Sequence, residues 1–250
     1  MTQSKTELAF LDVDRRRIAF RLRKGSSPTI VFLPGYASDM EGAKALALDA
    51  FAADRGLAML RLDYSGTGSS EGEFAHGTLS HWIDEAQAAI EALTRGPLIV
   101  VGSSMGGWIA LHLALRLPKR VQALVGVAAA PDFTQWGFSE SEKIQIAREG
   151  LLETDNPYGP EPSRMYRDFW ESGQDLRLLE GEIAIEGPVR LVHGEGDRDV
   201  PLEVATRLAE RLRSADVQTL VIKGGGHRLS EPHEIAAILS LVGGLLEPMT

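Results

Sequence analysis

The chain alternates short apolar runs with longer segments in which apolar residues recur at helical spacing. TIVFL after Pro28 and LIVV from Leu98 are nearly continuous apolar runs, as found in strands buried on both faces. Residues 78–93 and 105–117 have the apolar periodicity of helices. Because strands and helices alternate along most of the chain, we expect a largely parallel sheet covered by helices on both faces.

Composition narrows the possible functions. The 250 residues carry 35 acidic and 26 basic side chains, a net charge of −9, which disfavours nucleic acid and anionic membranes as partners. The chain has no cysteine, which excludes disulfides, thiolate metal sites and a cysteine nucleophile. The first twenty residues contain no uninterrupted apolar core of the kind a signal peptide needs, and no apolar run in the chain is long enough to span a bilayer. We predict a single cytoplasmic domain over residues 1–250, without membrane insertion.

Two regions depart from the alternation. Residues 7–11 and 18–22 have the pattern of an N-terminal hairpin. Residues 131–187 show no buried strand yet hold seven of the sixteen aromatic residues. An insertion of this length between core strands is either a surface excursion or a lid over a site, and its aromatic content favours a lid.

A serine flanked by glycines stands at one predicted strand-to-helix corner. Gly102-Ser103-Ser104-Met105-Gly106 matches the G-x-S-x-G pattern, in which a nucleophile occupies a tight turn at the end of a strand. The alternative is that Ser103 and Ser104 only cap the helix. The preceding strand and following helix favour Ser104 as a nucleophile.

A serine nucleophile needs a histidine base. In this fold the base follows the acid in the chain, and His227 and His233 are the two histidines beyond the candidate acids. His227 lies in the glycine-rich loop GGGHRLS, whereas His233 follows Pro232 at the start of a predicted helix. We therefore choose His227, and expect His193, at the end of strand RLVH, to be structural.

The segment HGEGDRDVP offers three acids: Glu195, Asp197 and Asp199. All follow a strand at the sheet edge where Ser104 is expected. Asp199 precedes Val200-Pro201 and could cap the next helix, whereas Asp197 lies within the turn. Asp197 is therefore the predicted acid.

The backbone N–H groups of Met105 and Tyr36 are the predicted oxyanion donors, although the Pro-Gly pair before Tyr36 could be an ordinary turn. Trp108, Phe133 and Trp136 are candidate walls of a substrate pocket, with core packing an equal alternative for Trp108. The glycine-rich loop DYSGTGSSEG lacks the lysine of a phosphate-binding loop. We expect this loop to pack against the loop LPGYAS, which contains Tyr36, and to support it.

LPGY, DYSGTGSS, GSSMGG, HGEGDRDVP and GGGH, in this order, resemble the α/β-hydrolase superfamily over essentially the whole chain. They are most similar to its mitochondrial acyl-protein thioesterases and acyl-glucuronide esterases and to bacterial relatives of these. The resemblance implies a mostly parallel eight-stranded sheet with helices on both faces and a short helical lid. The family's triad corresponds to Ser104, Asp197 and His227.

The sequence thus predicts a serine hydrolase that cleaves carboxylic esters or thioesters through an acyl-enzyme, with no cofactor and no metal. Its substrate would be a small-molecule ester or an acylated protein, and the protein a monomer or a homodimer. A hydrolase of small peptides or amides on the same fold, and a ligand receptor without turnover, are the alternatives.

Overall fold

An eight-stranded sheet in the order β1-β2-β4-β3-β5-β6-β9-β10 forms the centre of the computed structural model, which describes residues 6–246. The ten strands are β1 (Leu8–Val13), β2 (Arg16–Arg23), β3 (Ser26–Leu33), β4 (Leu57–Leu62), β5 (Leu98–Ser103), β6 (Val121–Val127), β7 (Leu151–Thr154), β8 (Ser163–Tyr166), β9 (Val189–Gly194) and β10 (Val217–Ile222). The eight α-helices of this range are α1 (Ala43–Asp54), α2 (Leu79–Leu93), α3 (Met105–Arg116), α4 (Phe133–Trp136), α5 (Glu140–Glu149), α6 (Arg167–Asp175), α7 (Leu202–Arg211) and α8 (Pro232–Gly244).

Strand direction follows the predicted pattern. β1 and β2 form the expected N-terminal hairpin, and β2 also runs antiparallel to β4. From β4 to β10 every neighbouring pair in this sheet is parallel. The carboxyl ends of β3, β5, β6 and β9 therefore meet at one edge, and the mostly parallel eight-stranded sheet is confirmed.

Alternate residues of β3 enter two separate layers of core. Val31 and Leu33 pack in a cluster with apolar residues of α2 and α3, on one face of the sheet. Ile30 and Phe32 pack with residues of α1 and α8 on the other face. Because both faces are covered, the central strands are apolar at nearly every position, which explains the continuous runs in the sequence.

The segment between β6 and β9 contains more than helices. Besides α4, α5 and α6 it has a two-stranded antiparallel sheet between α5 and α6, in which β7 pairs with β8. The sequence did not predict this hairpin because its strands have four residues each, with only one buried residue per strand, so they lack a buried apolar run. We keep 131–187 as the proposed lid.

None of the helices within residues 6–246 has the length and hydropathy needed to cross a bilayer.

Candidate active site

Close backbone packing explains the glycines around Ser104. A Cβ on Gly102 would lie 2.2 Å from the Gly106 carbonyl oxygen, and one on Gly106 would lie 2.1 Å from the Leu33 carbonyl oxygen. A Cβ on Gly107 would meet the Ala129 side chain at 2.5 Å. The corner can therefore form only where β5, α3 and the end of β3 approach without side chains between them.

Ser104 itself has a strained backbone, with φ of 53° and ψ of −119°. Its N–H donates to the Val127 carbonyl at 2.9 Å, and its own carbonyl accepts from Gly107 and Ala130 at 2.9 and 3.1 Å. A conformation of this kind costs about 1–3 kcal/mol and persists where the surroundings impose it. The Ser104 side chain does not cap α3, so the capping alternative is not what the structure shows.

His227 joins Ser104 to Asp197. Its Nε2 lies 3.1 Å from the Ser104 hydroxyl oxygen, and its Nδ1 lies 2.9 Å from Asp197 Oδ2. The three residues come from different elements: the end of β5, the loop after β10 and the loop after β9. The structure thus brings together the three side chains that the sequence singled out.

The Asp197 carboxylate is fully buried and held from both oxygens. Oδ1 accepts the amides of Asp199 and Val200, each at 2.9 Å, while Oδ2 faces His227. Burial acts to raise the pKa of Asp197, but the His227 hydrogen bond and charge and the two amides outweigh it and hold the pKa below its ordinary value. Asp197 is therefore a stable anion beside the imidazole.

The residues that were not chosen as the acid or the base lie in other surroundings. Asp199 does not cap α7, whose N-cap is Pro201, and instead accepts the Tyr158 hydroxyl at 2.5 Å. Glu195 accepts the Gly224 amide at 3.1 Å. His233 is exposed in the first turn of α8.

The loop after β3 lies against the serine. A Cβ on Gly35 would stand 3.3 Å from the Ser104 Cβ, so the backbone next to Tyr36 passes directly beside the hydroxyl. Met105 is the first residue of α3, where backbone N–H groups have no partner within the helix. This geometry is compatible with the Tyr36 and Met105 amides as oxyanion donors, which we carry forward as part of the proposal.

The glycine-rich loop after β4 wraps around its own carboxylate. Asp63 accepts the amides of Met40 and Ser69 at 2.7 and 2.8 Å, and a Cβ on Gly68 would overlap its carboxylate oxygen at 2.1 Å. The Tyr64 hydroxyl donates to the Pro34 carbonyl at 3.3 Å. The loop thus contacts the segment that precedes Tyr36.

A cavity of about 540 Å³ opens beside Ser104. Tyr36, Phe74, Tyr158 and Tyr166 supply its aromatic surface, and the last two belong to the β7–β8 hairpin region. The Tyr36 hydroxyl also donates to the carbonyl of Arg164 at 2.9 Å, which ties the hairpin to the core.

The aromatics expected to form the pocket wall lie elsewhere. Trp108 is fully buried and its indole N–H donates to the Leu176 carbonyl at 3.2 Å. Phe133 packs edge-on against Trp108, with ring centroids 5.8 Å apart, and the Trp136 indole donates to the Pro131 carbonyl at 2.8 Å. These three residues join the lid segment to the core and do not line the cavity.

Sequence reasoning missed the cationic residues at the cavity, among them Lys44 and Arg228. Lys44 of α1 and Arg228 both line it, and the Lys44 ammonium donates to the Arg228 carbonyl. The Lys44 charge is also attracted by Glu234, and the Arg228 guanidinium carbon lies 4.3 Å from the centroid of the Tyr158 ring. Burial, aided by the Arg228 charge, lowers the pKa of Lys44 to about 8. The position of Arg228 next to His227 was the one sequence feature that could have indicated a cation at the site. The sequence around Lys44 has no such feature.

Side chains of the kinds that bind metal ions also lie close together at this site. Asp197, Asp199 and His227 are the cluster of three such groups within residues 6–246 whose ligand atoms lie within 4.8 Å of one another. Each already has a protein partner, since Asp197 and His227 bind each other and Asp199 binds Tyr158.

Comparison with known proteins identifies the family to which this fold belongs. Residues 30–238 match the model of the alpha/beta hydrolase family. The human palmitoyl-protein thioesterase ABHD10, mitochondrial, is 36% identical over 99% of this chain and 83% of its own length. The structure of alpha/beta hydrolase domain-containing protein 10 from mouse superposes with a TM-score of 0.91 at 33% identity, covering 98% of this chain and 100% of that one. A solved structure from Agrobacterium vitis S4 has a TM-score of 0.90 at 37% identity, covering 97% and 99%.

Proposed function

The chain belongs to the alpha/beta hydrolase family, and from that premise we propose that it is a serine hydrolase of carboxylic esters or thioesters. The observation that carries the proposal is the continuous contact from the Ser104 hydroxyl through His227 to the buried Asp197. A serine hydroxyl becomes a competent nucleophile only when a base accepts its proton, and a buried carboxylate keeps that base in the required tautomer.

In the proposed reaction His227 Nε2 takes the Ser104 proton as the serine oxygen attacks the carbonyl carbon. The Tyr36 and Met105 amides receive the resulting oxyanion. When the tetrahedral intermediate collapses, the bond to the leaving oxygen or sulfur breaks and His227 returns the proton to it. Water then attacks the acyl-serine with His227 as base, releasing a carboxylic acid and restoring the hydroxyl.

The leaving group must lie on the His227 side of the cavity, because His227 protonates it. Arg228 follows His227 in the chain and its carbonyl accepts from the Lys44 ammonium, so both cations lie on that side. Their charges favour a leaving group that carries an anion, as an acyl-glucuronide does. The ABHD10 relative is named as a palmitoyl-protein thioesterase, which supports a fatty acyl thioester as the second substrate type, with an acylated protein or a small molecule as leaving group.

Activity-based labelling tests the proposal. A fluorophosphonate probe should label the purified protein, and labelling should disappear in Ser104→Ala. Labelling that persists in that variant, or no labelling of the parent protein, would contradict the serine nucleophile and favour a ligand receptor.

Substrate class requires a separate panel. Hydrolysis of acyl thioesters, 4-nitrophenyl esters and aminoacyl 4-nitroanilides should show turnover of the first two and little of the third. Preferential cleavage of the anilides would identify a peptide or amide hydrolase instead.

We retain the cytoplasm as the proposed compartment, to be tested by fractionation of the source cells.

A further inference from the structure

We infer that His193 is a positioning residue for Asp197, an inference that rests on the proposed hydrolase function. His193 lies on β9 with 1% of its surface exposed. Its Nε2 is 2.8 Å from the Val200 carbonyl oxygen and 3.5 Å from Asp197 Oδ2. Asp197 thus faces two histidines on the same oxygen, of which only His227 contacts Ser104.

The contact with the Val200 carbonyl shows which ring nitrogen of His193 carries a proton. A carbonyl oxygen only accepts hydrogen bonds, so His193 Nε2 must carry a hydrogen. That N–H is directed to the Val200 carbonyl, and its positive end also lies near Asp197 Oδ2. At 3.5 Å the second contact is electrostatic rather than a full hydrogen bond.

Val200 completes a closed set of contacts. Its carbonyl accepts from His193, while its N–H donates to Asp197 Oδ1 at 2.9 Å. His193 therefore fixes the peptide segment that holds one carboxylate oxygen and contacts the other oxygen directly. Because the Asp197 side chain is fully buried, no bulk water is available to replace a lost donor.

The orientation of Asp197 determines the orientation of His227. If the carboxylate rotates, the Nδ1 contact weakens and the imidazole is no longer held toward the Ser104 hydroxyl. Misplacement of about 1 Å in such an arrangement can cost about 100-fold in rate. His193 would thus act on turnover through Asp197, without contact to the substrate.

Two substitutions distinguish the role of the His193 Nε2 hydrogen-bond donor from that of the ring's volume. His193→Phe keeps a buried ring but removes Nε2, and kcat should fall by about 10- to 100-fold with KM nearly unchanged. His193→Gln can place its amide nitrogen near the position of Nε2 and should retain kcat within about threefold of the parent. If His193→Phe does not fold, His193→Asn takes its place, because its shorter amide cannot reach the Val200 carbonyl.

His112→Phe is the matched control. His112 is also buried and its Nε2 also lies on a carbonyl oxygen, but that oxygen belongs to Leu176, at 3.0 Å, which is not a residue of the site. Its substitution should lower the melting temperature without changing kcat of the folded protein. The same pattern in His193→Phe would overturn the inference, as would equal kcat losses in His193→Phe and His193→Gln.

Proton NMR supplies a readout that does not depend on turnover. The His227 Nδ1 proton shared with Asp197 should give a far-downfield resonance, retained in His193→Gln and shifted or lost in His193→Phe. An unchanged resonance in His193→Phe would contradict the positioning role. If the parent protein hydrolyses no ester or thioester, the proposed function fails while this measurement still decides the role of His193.

Discussion

His227 Nε2 lies 3.1 Å from the Ser104 hydroxyl oxygen although the two residues are 123 positions apart in the chain. The contact is possible because β5 and β10 run in the same direction within one sheet, so the segments that follow them open at the same edge. The sheet thereby brings a weak nucleophile and its base together.

Replacing the two late histidines should give opposite results. His227→Ala removes the proton acceptor of Ser104 and should lower kcat/KM by at least about 1,000-fold. His233→Ala changes an exposed residue at the start of α8 and should leave kcat/KM within about twofold of the parent. Steady-state hydrolysis of a 4-nitrophenyl ester measures both, and comparable losses would refute the choice of His227.

The neighbouring aspartates should also be separable. Asp197→Asn keeps the shape of the side chain but removes the charge that holds the imidazole, and kcat should fall by about 1,000- to 10,000-fold. Asp199→Asn affects a residue bound to Tyr158 at the cavity mouth, and we expect a loss below about tenfold. The reverse order of effects in the same assay would identify Asp199 as the acid.

Acid should destabilise the parent protein more than the Asp197→Asn variant. The native pKa of Asp197 is below its ordinary value, so its contribution to stability is complete above the unfolded pKa of about 3.9 and is lost as the pH falls through the native pKa. Urea midpoints at pH 5 and pH 3 should therefore differ more for the parent. Equal differences would show that the native carboxylate gains nothing from its partners.

Preference for an anionic leaving group should weaken in alkali. Burial and Arg228 lower the pKa of Lys44 to about 8, against an opposing influence of Glu234. Lys44 is therefore mostly charged at pH 7 and mostly neutral at pH 9. Matched thioesters of 5-thio-2-nitrobenzoate and 4-nitrothiophenol differ by one ring carboxylate. The kcat/KM of the first divided by the kcat/KM of the second should decrease from pH 7 to pH 9.

Two variants provide the controls for that measurement. In Lys44→Met the ratio should be lower at pH 7 and nearly independent of pH, whereas Arg213→Gln, which alters an exposed arginine paired with Glu182 and Glu186, should behave as the parent does. A pH-dependent ratio that persists in Lys44→Met would assign the effect to another group.

Close packing at the corner predicts a stability effect. Gly106→Ala forces a Cβ to within 2.1 Å of the Leu33 carbonyl oxygen and should destabilise the fold by about 1–3 kcal/mol or more. Gly244→Ala adds a Cβ with no atom within 4 Å at the end of α8 and should stabilise by up to about 1 kcal/mol. Urea denaturation compares the two, and a tolerated Gly106→Ala would show that the backbone approach is not required.

Local sequence patterns determined most of the fold. The continuous apolar runs defined the central strands, because a strand buried on both faces must be apolar at successive positions, as Ile30 and Val31 are. Thr78 marked the start of α2, where its hydroxyl accepts the His81 amide. The proximity of Ser104, Asp197 and His227 was likewise predictable, because each follows a parallel strand whose carboxyl end lies at the same edge of the sheet.

Only the tertiary structure decided what surrounds those three side chains. Lys44 comes from a helix far from His227 in the chain, and Tyr158 from a hairpin without an apolar pattern, yet both line the cavity. Conversely, Trp108 and Phe133 are aromatic residues that pack against each other where the lid segment meets the core, and neither lines the cavity. Periodicity reports which side chains are buried, but contacts between distant segments depend on how the elements pack, and that information is not contained in any local stretch of the chain.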